Sequence, residues 1–146
     1  MVWDQVISQL PAKSRGYHLI TRDVLSRVHT IQTIEIGLLH LFLQHTSASL
    51  AINENADPTV RGDVERHFDL LVPENAPHYQ HTYEGADDMP AHIKSILTGT
   101  ELTIPISQGR LALGMWQGIY LCEHRDHASG RRLVATIQGK SGGLAR

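Results

Sequence analysis

The sequence predicts an α+β architecture in a single domain spanning residues 1–146, and three observations carry that expectation. Apolar runs of strand length and β-rich composition fill both ends of the chain. Two or three short helical patterns interrupt them in the middle. No internal repeat, low-complexity stretch or linker divides the 146 residues, a length that lets one domain bury about two-thirds of its unfolded surface.

Residues 3–10 and 16–20 read as strands joined around Pro11 and Ser14. Thr21 can cap a short helix through Val28, with Val24, Leu25 and Val28 on its apolar face. Residues 34–44 are rich in Ile and Leu and read as a mostly buried strand, which residues 47–52 continue or pair with. A helix opens at Pro58, behind the capping residue Asp57, and repeats Val60, Val64, Phe68 and Leu71 at helical spacing. Residues 72–89 form a long polar loop, of a length that in a compact domain often carries function. A second helix runs from Pro90 through Ile93, Ile96 and Leu97 to a stop at Gly99. Strands follow over residues 102–106, 111–113, 118–122 and 131–138, with a turn at Gln108-Gly109.

Composition narrows the function classes. A net charge of −2 gives no basic field for nucleic acid, and 5% aromatic content argues against stacked-base or sugar-platform binding. No apolar run reaches the roughly 18 residues of a membrane span, and the N-terminus does not resemble a secretory leader. The single Cys122 allows no internal disulfide and fits a reducing, cytoplasmic setting. Ten histidines spread along the chain are the unusual total.

Residues 43–58 are the most informative stretch. A strand-to-helix connection needs a turn and a cap, which Asp57-Pro58 supplies. His45, Thr46, Ser47, Ser49, Asn53, Glu54 and Asn55 exceed that need and suit metal, anion or proton chemistry. His45, Ser47 and Ser49 would share a face of a regular strand, but no Gly-x-Ser-x-Gly elbow accompanies them, so sheet decoration is the better reading of the serines. His78-x-x-His81 and His124-x-x-His127 have spacings a metal can bridge, with His92 beside other polar groups. Asp87-Asp88 could hold Mg²⁺ or cap the following helix. Lys94, Arg110, Arg125, Arg131 and Arg132 offer cations for phosphate oxygens. Gly139-Lys140-Ser141 is not the end of a phosphate-binding loop, because Val134 stands where that motif needs its first glycine.

Several of these motifs, in this order, resemble the YjbQ-like family: Gln44-His45-Thr46-Ser47-Ala48, Asn53-Glu54-Asn55, residues 79–81, and Asp88-Met89-Pro90-Ala91-His92-Ile93-Lys94. Residues 109–118 with Trp116-Gln117, and Glu123 after the following strand, complete the resemblance, which runs over about residues 3–139. Met115 departs from it, since the family has Thr at this position. The resemblance implies a β-sandwich of mainly antiparallel strands, assembled as a homotrimer, with a secondary thiamine-phosphate synthase activity. That transferase reaction joins a pyrimidine diphosphate to a thiazole phosphate and releases pyrophosphate. By matching position it implies His45, His81 and His92 as a site for a metal or an anion. It brings in Asn53, Glu54 and Glu123 as catalytic candidates, and Ser47, Lys94, Trp116, Gln117 and Arg132 as substrate-binding candidates.

The residue types suit that chemistry. Departing pyrophosphate needs its charge neutralised, by a divalent metal (Zn or Mg) or by Lys94 and Arg132. Glu54 could stabilise the electron-poor pyrimidine methylene. Two alternatives stand beside this one: a metal-assisted phosphate-ester hydrolase using the same histidines, and a non-enzymatic trimer that binds a metal or another ligand.

Overall fold

Alternation of half-buried and exposed side chains sets the first strand, β1 (Val2–Leu10), in the computed structural model, which describes residues 1–142. The last four residues of the expected domain lie outside the described residues. After β1 come β2 (Gly16–Leu19), α1 (Thr21–Leu25), a 3₁₀ turn (His29–Thr33), β3 (Ile34–Leu43) and β4 (Ala48–Glu54). Then follow α2 (Pro58–Leu71), α3 (Asp88–Thr98), β5 (Glu101–Ser107), β6 (Arg110–Leu111), β7 (Gln117–Glu123) and β8 (Arg131–Ser141).

The strands form two antiparallel sheets, one of five in the order β1-β8-β3-β5-β6 and one of three in the order β2-β7-β4. The core lies between them. Leu39, Leu41 and Leu43 of β3, Leu133 and Ile137 of β8 and Ile104 of β5 cluster with Leu50 of β4, Ile119 and Leu121 of β7, and Val24 of α1. The two longer helices cover the small sheet, α2 against β2 and α3 against β4. Tyr17 stacks on Phe68 at 6.1 Å, and Ser95 Oγ donates to the Ala48 carbonyl at 2.9 Å. This is the expected α+β fold.

The structure differs from the sequence reading at five elements, one being β6, which spans Arg110–Leu111 where the sequence predicts a strand over residues 111–113. Residues 47–52 neither extend β3 nor pair with it; the chain crosses between sheets after Leu43, and β4 pairs with β7. β3 is buried on one face only, leaving Ile36, Leu38 and Phe42 exposed. Thr21 does not cap α1, because its hydroxyl accepts the Ile119 N–H at 2.9 Å. α3 starts at Asp88 rather than Pro90, and Asp87 makes no side-chain capping bond because its carboxylate is taken by Arg125 and the Asp126 N–H. Asp57, in contrast, caps α2 as expected, accepting the Thr59 N–H at 2.9 Å.

Close sheet packing yields the first prediction. Gly37 and Gly139 face each other across β3 and β8, and a Cβ on Gly139 would lie 2.6 Å from the Ile36 carbonyl oxygen and 2.8 Å from Gly37 Cα. Backbone cannot retreat as a flexible side chain can. Gly139→Ala is therefore expected to cost about 1–3 kcal/mol, read as a lower urea midpoint.

Candidate functional site

The turn between β3 and β4 and the N-terminal half of α3 build one site. Pairing of Ala48 with Glu123 brings residues 45–47 against the end of β7. α3 then presents Asp88 and His92 one turn apart on the same face. The long loop between α2 and α3 delivers His81 to them. One oxygen of Asp88, Oδ2, lies 2.7 Å from His81 Nε2 and 3.1 Å from His92 Nε2. The ligand-type atoms of these three residues all fall within 4.8 Å of one another.

His92 is held from behind, its Nδ1 lying 2.9 Å from the Thr46 carbonyl oxygen. A carbonyl only accepts, so Nδ1 carries the proton. Two charge states then remain for the other nitrogen. An imidazolium donates from Nε2 to Asp88, whereas a neutral ring turns an Nε2 lone pair towards the carboxylate oxygen, an arrangement that calls for a cation. A histidine whose rear nitrogen donates to a backbone carbonyl is the usual form of a metal ligand. Two imidazole nitrogens and one carboxylate oxygen fit a transition-metal site with open positions.

The cluster borders several open depressions, of which two are the larger. His92 joins His45, Thr46, Ser95, Ile96, Gly99 and Thr100 around one of about 440 Å³. His81 joins His78, Tyr79, Gln80, Met89 and Ile93 around another of about 360 Å³. Both are large enough for part of a small organic phosphate. A cavity of about 470 Å³ bordered by Thr21, Leu25, Ile31, Leu111 and Leu113 lies at the far end of the small sheet, away from this chemistry.

Beneath the turn, Arg131 and Glu123 form a buried fork-to-fork pair, with Nε to Oε1 at 2.8 Å and Nη2 to Oε2 at 2.5 Å. Arg131 also donates to the Ser47 carbonyl at 3.2 Å, and Glu123 Oε2 accepts the Arg125 N–H at 3.2 Å. His45 Nε2 accepts the Arg132 N–H at 2.7 Å, and its Nδ1 lies 3.4 Å from Arg131 Nη1. Burial first, then the Arg131 charge, holds His45 below the usual histidine range, so it stays neutral.

The structure thus brings His81 and His92 together with Asp88, and His45 does not join them because its Nε2 is engaged by backbone. Glu123 is 1% exposed and bound to Arg131, so it meets no substrate in this arrangement. Lys94 is also turned inward, 3% exposed, with its ammonium 2.6 Å from Asp69. Ser47 is nearly buried, while Arg132 is exposed beside His45. Asn53, Glu54, Trp116 and Gln117 gather at the opposite end of the small sheet. Along β4 from Ala48 to Glu54 that separation is about 20 Å. There Asn53 Oδ1 accepts the Glu54 N–H, Glu54 accepts the Asp57 N–H, and Gln117 Oε1 accepts the Gly114 N–H. Trp116 and Met115 are exposed.

Neither spaced pair supplies two ligands: His78 lines the same depression as His81 but packs edge-on against Tyr79 outside the cluster, and His124 is buried while His127 is exposed. His124 Nε2 lies 2.8 Å from Ser49 Oγ, so Ser49 finds its histidine 75 positions away rather than at His45. Burial, aided by the charges of Lys94, Arg131 and Arg15, lowers His124 to about 3. The unfolded chain takes up this proton near pH 6.5 and the folded one only near 3. Stability present above 6.5 is therefore lost as pH falls, by about 1.4 kcal/mol per pH unit for this one proton. Urea unfolding at several pH values between about 6 and 4 should show that slope, and His124→Gln should remove it. Cys122, opposite Ser49, is buried with its thiol raised to about 12, which leaves it inert.

Among the described residues no helix is long and apolar enough to cross a membrane. Comparison with known proteins gives one consistent answer. A family model described as UPF0047 protein YjbQ-like matches residues 6–140. The UPF0047 protein YjbQ of Salmonella typhimurium is 55% identical over 139 residues, covering 95% of this chain and all of that protein. YugU of Bacillus subtilis is 42% identical over 104 residues, 71% of this chain and 76% of that one. A conserved yjbq/upf0047-family protein from Clostridium acetobutylicum superposes with a TM-score of 0.80 at 32% identity, covering 91% of this chain and 99% of that one. A conserved hypothetical protein from Thermus thermophilus gives 0.75 at 36% identity, over 88% and 97%. With a match across most of its length in both sequence and fold, this chain belongs to the UPF0047, YjbQ-like family.

Proposed function

We propose that the chain is a metal-assisted transferase acting on phosphorylated small molecules, with thiamine-phosphate synthesis as its reaction class. The observation that carries this reading is the convergence of His81, Asp88 and His92 on one point beside an open groove. His92 is already locked by the Thr46 carbonyl with its proton on the rear nitrogen. Two nitrogens and one oxygen favour zinc over magnesium. A divalent cation held there would offset the negative charge that grows on departing pyrophosphate.

The chain's own groups do the rest in this reading. Thr46, His45, Ile96 and Gly99 line the groove, and the Arg132 backbone N–H holds His45 in it. The bond from the pyrimidine methylene to the diphosphate oxygen breaks, its electrons leave with pyrophosphate, and the thiazole nitrogen lone pair forms the new bond to carbon. Lys94 and Glu123 take no part in the contacts to substrate, since both are buried in ion pairs.

Glu54 and Trp116 lie about 20 Å from the cluster within one protomer, so they reach the same substrate only from a neighbouring copy. A homotrimer fits a feature of the large sheet: its outer face carries Trp3, Ile7, Ile36, Leu38 and Phe42 in the open, Trp3 at 65% exposure. An apolar sheet face of this kind is suited to burial against another copy. A cytoplasmic setting agrees with the free, buried Cys122.

The test is elemental analysis of the wild type, His81→Ala and His92→Ala, followed by assays with the two substrates together and singly. Metal lost from both variants, with pyrophosphate released only when both substrates are present, supports the synthase. Phosphate released from a single substrate would favour the hydrolase, and metal without turnover the binding protein.

A further inference from the structure

Arg125, in the connection between β7 and β8, reaches three places at once. Its Nη1 lies 2.7 Å from Asp88 Oδ1, its Nε donates to Asp87 Oδ2 at 2.8 Å, and its Nη2 donates to the Glu84 carbonyl at 2.8 Å. Asp87 Oδ2 also accepts the Asp126 N–H at 2.9 Å. The backbone of Arg125 is itself anchored, its N–H donating to the buried Glu123 carboxylate. Gly85, at φ 109°, turns the loop so that its carbonyl accepts the Asp88 N–H and so that Asp87 fits beside it, where a Cβ would lie 2.8 Å from Asp87 Oδ1.

These contacts have two consequences for Asp88. Its Oδ1 is held by the guanidinium, so the carboxylate cannot rotate and Oδ2 stays aimed at His81 and His92. Charge is the second. An arginine paired with Asp88 alone would neutralise the one carboxylate of the cluster and repel a cation. Asp87 does not belong to the cluster, yet it is bound to the same guanidinium. Arg125 and Asp87 therefore sum to zero, and the charge of Asp88 remains for the cation.

We propose that Arg125 and Asp87 form a charge-balanced clamp that positions the free oxygen of Asp88, and with it the divalent-cation site. The inference rests on the cation reading above and adds two positioning residues to it. Neither touches the cation. Outer-sphere partners of this kind are worth about 10–100-fold in metal affinity.

Co²⁺ titration of wild type, Asp87→Asn and Arg125→Lys tests it, following the visible absorption of the bound ion, with melting in chelator as the control. Lysine keeps the charge but lacks the fork that spans Asp87, Asp88 and Glu84. Asparagine keeps the shape but leaves Arg125 uncompensated. The clamp predicts about tenfold or greater loss of Co²⁺ affinity in each variant, with an altered absorption band. A purely structural role would lower the melting temperature in chelator and leave affinity and band unchanged. A smaller loss in either variant, with wild type binding, overturns the clamp while the cation site stands. Failure of wild type itself to bind Co²⁺ removes both.

Discussion

Arg131→Ala is expected to lower the free energy of unfolding by about 3–5 kcal/mol. The magnitude comes from what stays behind. Glu123 is almost fully buried, and both of its oxygens are paired with the guanidinium. Removing the arginine leaves a carboxylate in a low-dielectric environment, with the Arg125 N–H as its remaining donor among the described residues. The Ser47 carbonyl loses its donor as well. Replacing both partners, as in Arg131→Met with Glu123→Leu, removes the stranded charge and should recover most of the loss. Urea denaturation of the two variants decides the matter: equal destabilisation in both would show that the lost donor to the Ser47 carbonyl, not the stranded Glu123 charge, is the cause. The effect should also reach the cluster, because Glu123 anchors Arg125, which in turn holds Asp88.

Asp88→Asn carries the second large expectation. The variant keeps the size of the side chain and its place between Arg125, His81 and His92, but not its charge. A cation-binding wild type gains about 2.7 kcal/mol of stability when zinc is present at 100 times its dissociation constant. In Asp88→Asn that gain should fall to near zero, since a ligand and the one anion of the cluster are lost together. Melting curves with zinc and with chelator measure it directly. An unchanged zinc-dependent shift in the variant would remove Asp88 from the site and with it the function proposed above.

Both effects hinge on residues that the sequence reading treated differently. Asp88 stood there as a candidate Mg²⁺ ligand or helix cap, Arg125 as one cation among five, and Glu123 as a catalytic group. Sequence spacing offered no means of preferring Asp88 over His45 as the third member of the cluster. The spacing of Asp88 and His92 on a helix was a usable signal, because residues four apart share a face, but it depended on knowing that the helix begins two residues before Pro90.

What the sequence determined by itself was local. The strand at residues 3–10, the Asp57-Pro58 start of α2, the stop at Gly99 and the glycine-bearing turn at Gln108-Gly109 all follow from backbone preferences within a few residues. The polar groups of residues 45–57 read in sequence as a surplus over local need, but Asn53 and Glu54 satisfy neighbouring backbone N–H groups and Asn55 the Met115 and Gln117 carbonyls, so the surplus shrinks to the turn at residues 45–47. Only the tertiary structure decided which of those groups meet. Because β4 pairs with β7 in one register, Ala48 faces Glu123, the turn before it touches Arg131, and Glu54 is carried about 20 Å to the other end. Strand neighbours far apart in sequence are selected by shared burial between two sheets, and no short-range pattern encodes that choice. The same burial turned Lys94 and Glu123 inward to ion-pair partners and left His92 lining a groove while bonded to the buried Asp88.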